Sequence, residues 1–286
     1  TRLQGDWSSD VCSSDLICAL NLAEAQRSEL ILARMNSMNA YGSLCAEFYD
    51  LDKPSAPVDA LAFYVDRARK SGGRVLEPMC GSGRFLLPMS LAGFSVDGVD
   101  SSLPMLAACS ARAHRLGVEV RVFQQDLASL ALPHRYSMAF IPSGSICLIT
   151  DESELQLALL RLRAHLEPGA ALLLEIVSDD IELTSPAELE TRVVTCTDGS
   201  SITYTCVASR VASAELLCFS GTYTKRAGYR VVETETEELV LRPYAPSRLM
   251  AMLADCGFTV AKAADESDLT FLANSGCTLI EAIADA

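Results

Sequence analysis

Positive charge is scarce in this sequence: 23 Lys and Arg stand against 37 Asp and Glu, a formal net charge of −14 over 286 residues. Nucleic-acid affinity comes largely from cations that neutralise phosphates, so DNA and RNA are disfavoured as partners. Half of the residues are hydrophobic, yet no uninterrupted apolar run reaches the roughly 18 residues that a membrane-spanning helix needs, and no membrane partner is expected. The 11 cysteines are odd in number and scattered, without a CxxC or Cys/His cluster. That excludes a disulfide framework and a zinc site, so no metal is expected and a reducing, cytoplasmic setting fits. Only three histidines are present. His114 and His165 fall within surface-helix patterns and His134 in a loop, which gives none of them a strong claim on catalysis.

Residues 1–34 stand apart. The opening "TRLQGDWSSDVCSSDL" is rich in Ser and Asp, carries the only Trp and shows no sustained period of two or 3.6. Acids interrupt any apolar core there and no basic start precedes it, unlike a signal peptide. The segment reads as non-native, resembling translated adapter sequence, or as a disordered arm, with Met35 or Met38 as the expected start. Residues 35–70 read as helical. "YGSLCAEFYDLDKP" puts Leu44, Phe48 and Leu51 on one helical face, and a second helix is expected over 58–70.

From 74 onward strands and helices alternate. A strand over 74–77 leads through a Gly-Ser-Gly loop to a helix ending near 92. "FSVDGVD", a helix over 103–116, "VEVRVFQQD" and "YSMAFIP" follow, then a helix over 152–166 and the strand "ALLLEIV". Such alternation implies a parallel sheet covered on both faces. The rhythm changes over 187–241, where extended runs meet at Asp198-Gly199 and Ala227-Gly228 and predict an antiparallel insertion lying over one end of the sheet. A helix over 247–256, a strand over 258–262 and a last strand "LTFLA" return to the α/β pattern.

The chemistry centres on "VLEPMCGSGRFLLPM", 75–89. A strand, a glycine loop and a helix offer unpaired backbone N–H groups to an anion. The dinucleotide fingerprint G-x-G-x-x-G fails, however, because Leu86 occupies the third glycine position. Glu77 at the strand end would also cost several kcal/mol beside a desolvated pyrophosphate, on the order of the usual buried-charge penalty. A ligand with a cationic group reverses that sign. S-adenosylmethionine has one, with a ribose and an adenine and no phosphate. Asp100, ending the next strand, can accept both ribose hydroxyls, and Asp126, beyond the third strand, can accept from the adenine amino group.

With those three acids around Gly81 and Gly83, the chain resembles the class I S-adenosylmethionine-dependent methyltransferases of the small-molecule type. "LEPMCGSGRF", "GFSVDGVDSSLPML", "QQDL" and "YSMAFIPSGSICLIT" are similar to that family's first four motifs, and "LRPYAPSRLMAMLADCGF" to its closing helix and strand. The resemblance implies a Rossmann-like α/β fold: a seven-stranded, mostly parallel sheet with helices on both faces, built from 71–186 and 242–286. The antiparallel β insertion, 187–241, lies between the fifth strand and the final helix and covers the substrate. The resemblance further implies that Glu77, Met79, Gly81, Gly83 and Arg84 hold the methionine part of the cofactor. Asp100, Ser101 and Met105 would flank the ribose, Asp126 and Leu127 the adenine, with Tyr49 and Ser143 completing the site and the helical stretch 35–70 folding over the cofactor as a lid. Met79 departs from the family, which often has glycine or alanine there.

Methyl transfer is an in-line displacement that yields S-adenosylhomocysteine, and alignment supplies much of its acceleration. The expected acceptor is an N, O or S atom of a small molecule; a homodimer is left open. Catalytic candidates are Tyr41, Tyr49, Ser143 and Ser145, with Glu175 and Ser178 behind them. Tyr204, Tyr223 and Tyr244 are substrate-binding candidates. Two other classes fit parts of the pattern: a non-catalytic S-adenosylmethionine-binding protein, and an NAD-dependent oxidoreductase, which Glu77 and the missing glycine oppose.

Overall fold

The computed structural model describes residues 41–179, 189–211, 215–264, 269–272 and 277–286. The expectations for 1–34 lie outside them. In chain order the described elements are α1 (Ser43–Asp52), α2 (Val58–Ser71), β1 (Val75–Pro78), α3 (Leu86–Leu91), β2 (Val96–Asp100), α4 (Leu103–Leu116), β3 (Arg121–Gln124), β4 (Tyr136–Ile141), α5 (Glu152–His165) and β5 (Leu166–Val177). The insertion supplies β6 (Leu189–Thr195), β7 (Ser201–Val211), β8 (Leu216–Ala227) and β9 (Arg230–Leu241). α6 (Pro246–Asp255), β10 (Phe258–Ala264) and β11 (Cys277–Ala284) finish the chain.

The main sheet has the order β10-β11-β5-β4-β1-β2-β3. The first five strands run parallel, and β11 runs antiparallel to both of its neighbours, β5 and β10. The mostly parallel seven-stranded sheet expected from the sequence is thus observed. Its last strand is not the expected one. Within "LTFLA", Thr270–Leu272 forms a 3₁₀ turn, and the closing strand is β11.

The central strands are apolar because both faces are covered: every residue of β1 is buried. One face packs against α5 and α6 through Leu155, Leu159, Leu162, Leu249 and Leu253. The other packs against α2, α3 and α4 through Tyr64, Leu86, Met89 and Cys109. α4 starts where the sequence predicts, at Ser102, whose hydroxyl accepts the Met105 N–H at 3.2 Å and satisfies one of the orphan donors of a first turn. Among the described residues no helix is long and apolar enough to cross a membrane.

Strand order reverses between β1 and β4, with β2 and β3 on one side and β5 on the other. A crevice opens beyond the carboxyl ends of the strands at such a point. The insertion folds as a separate four-stranded antiparallel sheet, β6-β7-β8-β9. Its inner face buries Ile202, Tyr204, Cys206 and Tyr223 against Leu44, Cys45 and Phe48 of α1, with Met105 of α4 in the same cluster.

Candidate active site

A cavity occupies that crevice. Glu77, Met79, Cys80, Gly81, Arg84 and Phe85 reach it from the β1 loop, Asp100, Ser101 and Met105 from beyond β2, Pro142, Ser143, Ser145 and Leu148 from beyond β4, and Tyr41 and Tyr49 from the α1 segment.

The β1 loop is held in shape by left-handed backbone. Met79 (φ 58°), Gly81 (φ 53°) and Gly83 (φ 82°) all have positive φ. For Met79 that conformation carries a Cβ penalty, the physical reason a glycine would suit the position. At Gly83 a Cβ would lie 2.7 Å from Cys109 Sγ and 3.0 Å from Leu87 Cγ, so glycine is required by space as well as by φ. The Gly81 N–H donates to Asp100 Oδ2 at 2.8 Å and the Ser102 N–H to Asp100 Oδ1 at 2.8 Å. These bonds fix the Asp100 carboxylate at the cavity wall, and each oxygen keeps a further lone pair for a ligand hydroxyl. Burial raises the Asp100 pKa, with the Ser102 and Gly81 amides pulling it back down.

Glu77 is 2 % exposed. Burial pushes its carboxyl well above the ordinary glutamate value, against the Leu86 N–H and the Arg84 charge, while Asp100 pushes it further up. Its Oε2 has no protein partner, and neither has Nε of Arg84, although both atoms are buried. Arg84 Nη1 donates to the Tyr49 hydroxyl at 3.0 Å, and its guanidinium lies 5.7 Å from the Tyr49 ring centroid. Glu77 and Arg84 both line the cavity, each with one buried polar atom that has no protein partner. Leaving such groups bare costs roughly 1–3 kcal/mol each, and a zwitterionic amino acid group answers both.

Beyond β4, Ser143 takes φ 59°, and its N–H donates to Glu175 Oε2 at 2.7 Å. Glu175 also accepts the Tyr64 hydroxyl at 2.5 Å, and burial raises its pKa despite both donors. Glu175 thus shapes the turn at Ser143 from behind and does not line the cavity. Ser145 spends its hydroxyl on the Pro142 carbonyl at 3.0 Å. Burial and then Glu237 hold the Tyr41 phenol well above its ordinary pKa, which makes it a neutral hydrogen-bonding group and not a phenolate base.

Residues 75–169 match the sequence profile of a family described as "Methyltransferase domain". Over that span the chain is similar to a methyltransferase domain. A Geobacillus protein named as a methyltransferase is 30% identical over 138 residues, which cover 46% of this chain and 56% of that protein. The dTDP-3-amino-3,6-dideoxy-alpha-D-glucopyranose N,N-dimethyltransferase of Streptomyces fradiae is 28% identical over 141 residues, 47% of this chain and 54% of that enzyme. The match thus spans little more than half the length of either curated relative. Among solved structures, the sugar N-methyltransferase KedS8 from Streptoalloteichus has a TM-score of 0.71 at 18% identity, covering 87% of this chain and 98% of that one. An S-adenosylmethionine-dependent methyltransferase from Clostridium acetobutylicum gives 0.68 at 16%, covering 84% and 98%. At those identities the likeness shows a shared fold.

From the sequence candidates the cavity gathers Tyr41, Tyr49, Glu77, Met79, Gly81, Arg84, Asp100, Ser101, Met105, Ser143 and Ser145. Gly83 lies behind its wall, packed on Cys109 and Leu87. Asp126, exposed, and Leu127, buried in the core, do not line it. The three tyrosines expected to meet the acceptor are not at the cavity either. Tyr204 and Tyr223 stack on each other at 4.6 Å and each approaches Phe48 of α1 at 5.4 Å. Tyr244 is core, its hydroxyl donating to the Ile149 carbonyl at 2.9 Å. Burial rewards these rings more than exposure to a ligand would. Ser178 pairs with Thr278 at 2.9 Å, outside the cavity.

Sequence reasoning missed Phe85, Pro142 and Leu148 as lining residues, and Glu235 and Glu237 as residues that bond to Tyr41 and the first turn of α1. A signal for the last two was present: "ETETEE" alternates along a strand, which places Glu235 and Glu237 on one face. A larger groove at the amino ends of β2 and β3 includes Asp97, His114 and Arg121. Asp97, its buried charge, is already met by Arg121 at 3.0 Å, Arg74 at 3.3 Å and Tyr136 at 3.0 Å.

Proposed function

We propose that the protein is an S-adenosylmethionine-dependent methyltransferase acting on an N, O or S atom of a small molecule. The carrying observation is the pair of buried polar atoms without a protein partner, Glu77 Oε2 and Arg84 Nε, on two residues that line one cavity with Asp100. The ligand's ammonium and carboxylate fit the first two, and its ribose hydroxyls fit Asp100. When bound, the cofactor supplies a methyl carbon activated by a sulfonium. Glu77 and Arg84 anchor one end, Asp100 the other, and Tyr41 and Tyr49 cover the cavity from the α1 side and exclude water. Alignment of this kind is worth roughly 7–11 kcal/mol of the barrier. The Tyr49 hydroxyl accepts from Arg84, and its second lone pair is left to accept an N–H or O–H of the methyl acceptor, which keeps the acceptor's own lone pair free to attack. An amine acceptor is favoured, because amines need only modest proton assistance and because the Streptomyces fradiae relative is by name an N,N-dimethyltransferase of an amino sugar.

Calorimetric titration tests the cofactor. Binding of S-adenosylmethionine and S-adenosylhomocysteine with no response to NAD is expected, and NAD binding alone would overturn the reading. Turnover of a labelled methyl donor on a panel of small amines, alcohols and thiols tests the reaction. Cofactor binding without label transfer to any of them would leave a non-catalytic binder.

A further inference from the structure

The α1 helix carries the lid side of the cavity, but its own sequence does not cap it: Gly42 is the N-cap residue and offers no side chain. The capping comes from the insertion. Glu235 of β9 accepts the Leu44 N–H at 3.0 Å and the Cys45 N–H at 2.9 Å, so one carboxylate answers two orphan amides of the first turn and sits at the positive end of the helix dipole. Two residues along the same face, Glu237 accepts the Tyr41 N–H at 2.7 Å and the Tyr223 hydroxyl at 2.9 Å. Tyr41 is held at φ 60°, and its carbonyl accepts the Ser102 hydroxyl at 2.9 Å. Ser102 in turn gives its N–H to Asp100. An unbroken chain of hydrogen bonds therefore runs from the insertion to the carboxylate at the ribose end of the cavity.

We propose that Glu237, with Glu235, is a positioning residue for cofactor binding: the pair latches α1 closed and sets Tyr41 and, through Ser102, Asp100. The inference deepens the methyltransferase reading and rests on it. It also gives the insertion a role distinct from covering an acceptor, since its inner acids and aromatics are directed at α1. Lys225 of β8 adds to the latch by pairing with Glu47 of α1 at 2.7 Å.

Glu237→Gln tests the latch. An amide carries no charge and one acceptor oxygen; if that oxygen keeps the Tyr41 N–H, its NH₂ replaces the oxygen that accepts the Tyr223 hydroxyl and the Cys45 thiol, so charge assistance is lost and two donors must find other acceptors. The affinity for S-adenosylhomocysteine should fall about tenfold, in the range of a charge-assisted hydrogen bond. Tyr223→Phe removes one of those two donors and leaves the Cys45 thiol in place. Added to Glu237→Gln, it should restore part of the affinity, a recovery that loss of bulk packing would not give. Gly42→Ala attacks the latch from the lid side, because its Cβ would lie 2.5 Å from the Glu235 carboxylate while the insertion's core is left intact. Hydrogen exchange over residues 41–48 in the ligand-free chain should rise in Glu237→Gln and Gly42→Ala. Wild-type affinity in both single variants, unchanged exchange, or a double variant no better than Glu237→Gln would each overturn the latch. Failure of the wild-type protein to bind S-adenosylhomocysteine, with the exchange results as expected, would sink the methyltransferase reading alone.

Discussion

Glu77 brings together most of what is specific to this cavity. Its carboxyl is buried and its pKa lies above the ordinary 4.5, so the folded, ligand-free chain holds a proton that the unfolded chain has released. The stability due to the protonated form is complete below that ordinary value and is lost as pH rises through the raised one. An ammonium placed against Glu77 favours the carboxylate instead. Cofactor binding should therefore release a proton across that window, and affinity should rise with pH through it. Titration calorimetry in buffers of different ionisation enthalpy reads the proton directly; binding without release at any pH in the window would contradict the contact. Glu77→Gln removes the charge without changing the shape. It should leave thermal stability above the window unchanged or higher, yet weaken S-adenosylhomocysteine binding by about 1.5–3 kcal/mol, the scale of a charged hydrogen bond. Glu77 and Asp100 were legible in the sequence because a carboxylate ending an apolar strand has few structural reasons to be there. Glu175 and Glu237 were harder to read. Their partners are backbone amides at Ser143 and Tyr41, and no residue type announces a donated N–H.

At the scale of elements, β1, β2, β4 and β5 could be read because burial on both faces makes them largely apolar, and α4 because Ser102 and Gly117 mark its ends. The closing strand could not. "LTFLA" has the composition of a strand, but Phe271 packs on Phe63 at 5.1 Å and Leu272 is buried in the cluster beneath α2, so tertiary contact overrides propensity. β11 carries two alanines and Glu281, residues depleted in strands. It forms because it pairs with β5 along 277–283 and because Arg67 meets Glu281 at 2.7 Å. The turn from β1 into α3 makes a sharper prediction. Gly83→Ala should destabilise the protein by about 1–3 kcal/mol, through a disallowed φ and overpacking on Cys109. Cys109→Ala in the same chain should recover only part of the loss, because the 82° φ remains. Denaturant midpoints of the two variants check this, and complete recovery would mean that φ strain contributes nothing.

Over the whole molecule, a net charge of −14 produces a field that favours cations in any crevice it surrounds. Glu77, Asp100 and Arg84 leave the cavity itself with more acid than base among the residues that line it. S-adenosylmethionine carries one more positive charge, on its sulfur, than the demethylated product. The molecular field therefore acts on donor and product unequally, drawing in the first and doing little for the second. Hydrogen bonds inside the cavity do not make that distinction, since both ligands share the amino acid, the ribose and the adenine. Salt separates the two contributions. Raising ionic strength from about 0.01 M to about 1 M shortens the Debye length from about 30 Å to about 3 Å, which removes the long-range part and leaves the buried contacts. Affinity for S-adenosylmethionine should fall severalfold across that range while affinity for S-adenosylhomocysteine stays nearly level, so that the donor-to-product preference narrows as salt rises. Calorimetric titrations of both ligands over one salt series measure it. Parallel slopes would place the whole preference in the cavity's own side chains and remove any part for the acidic surface.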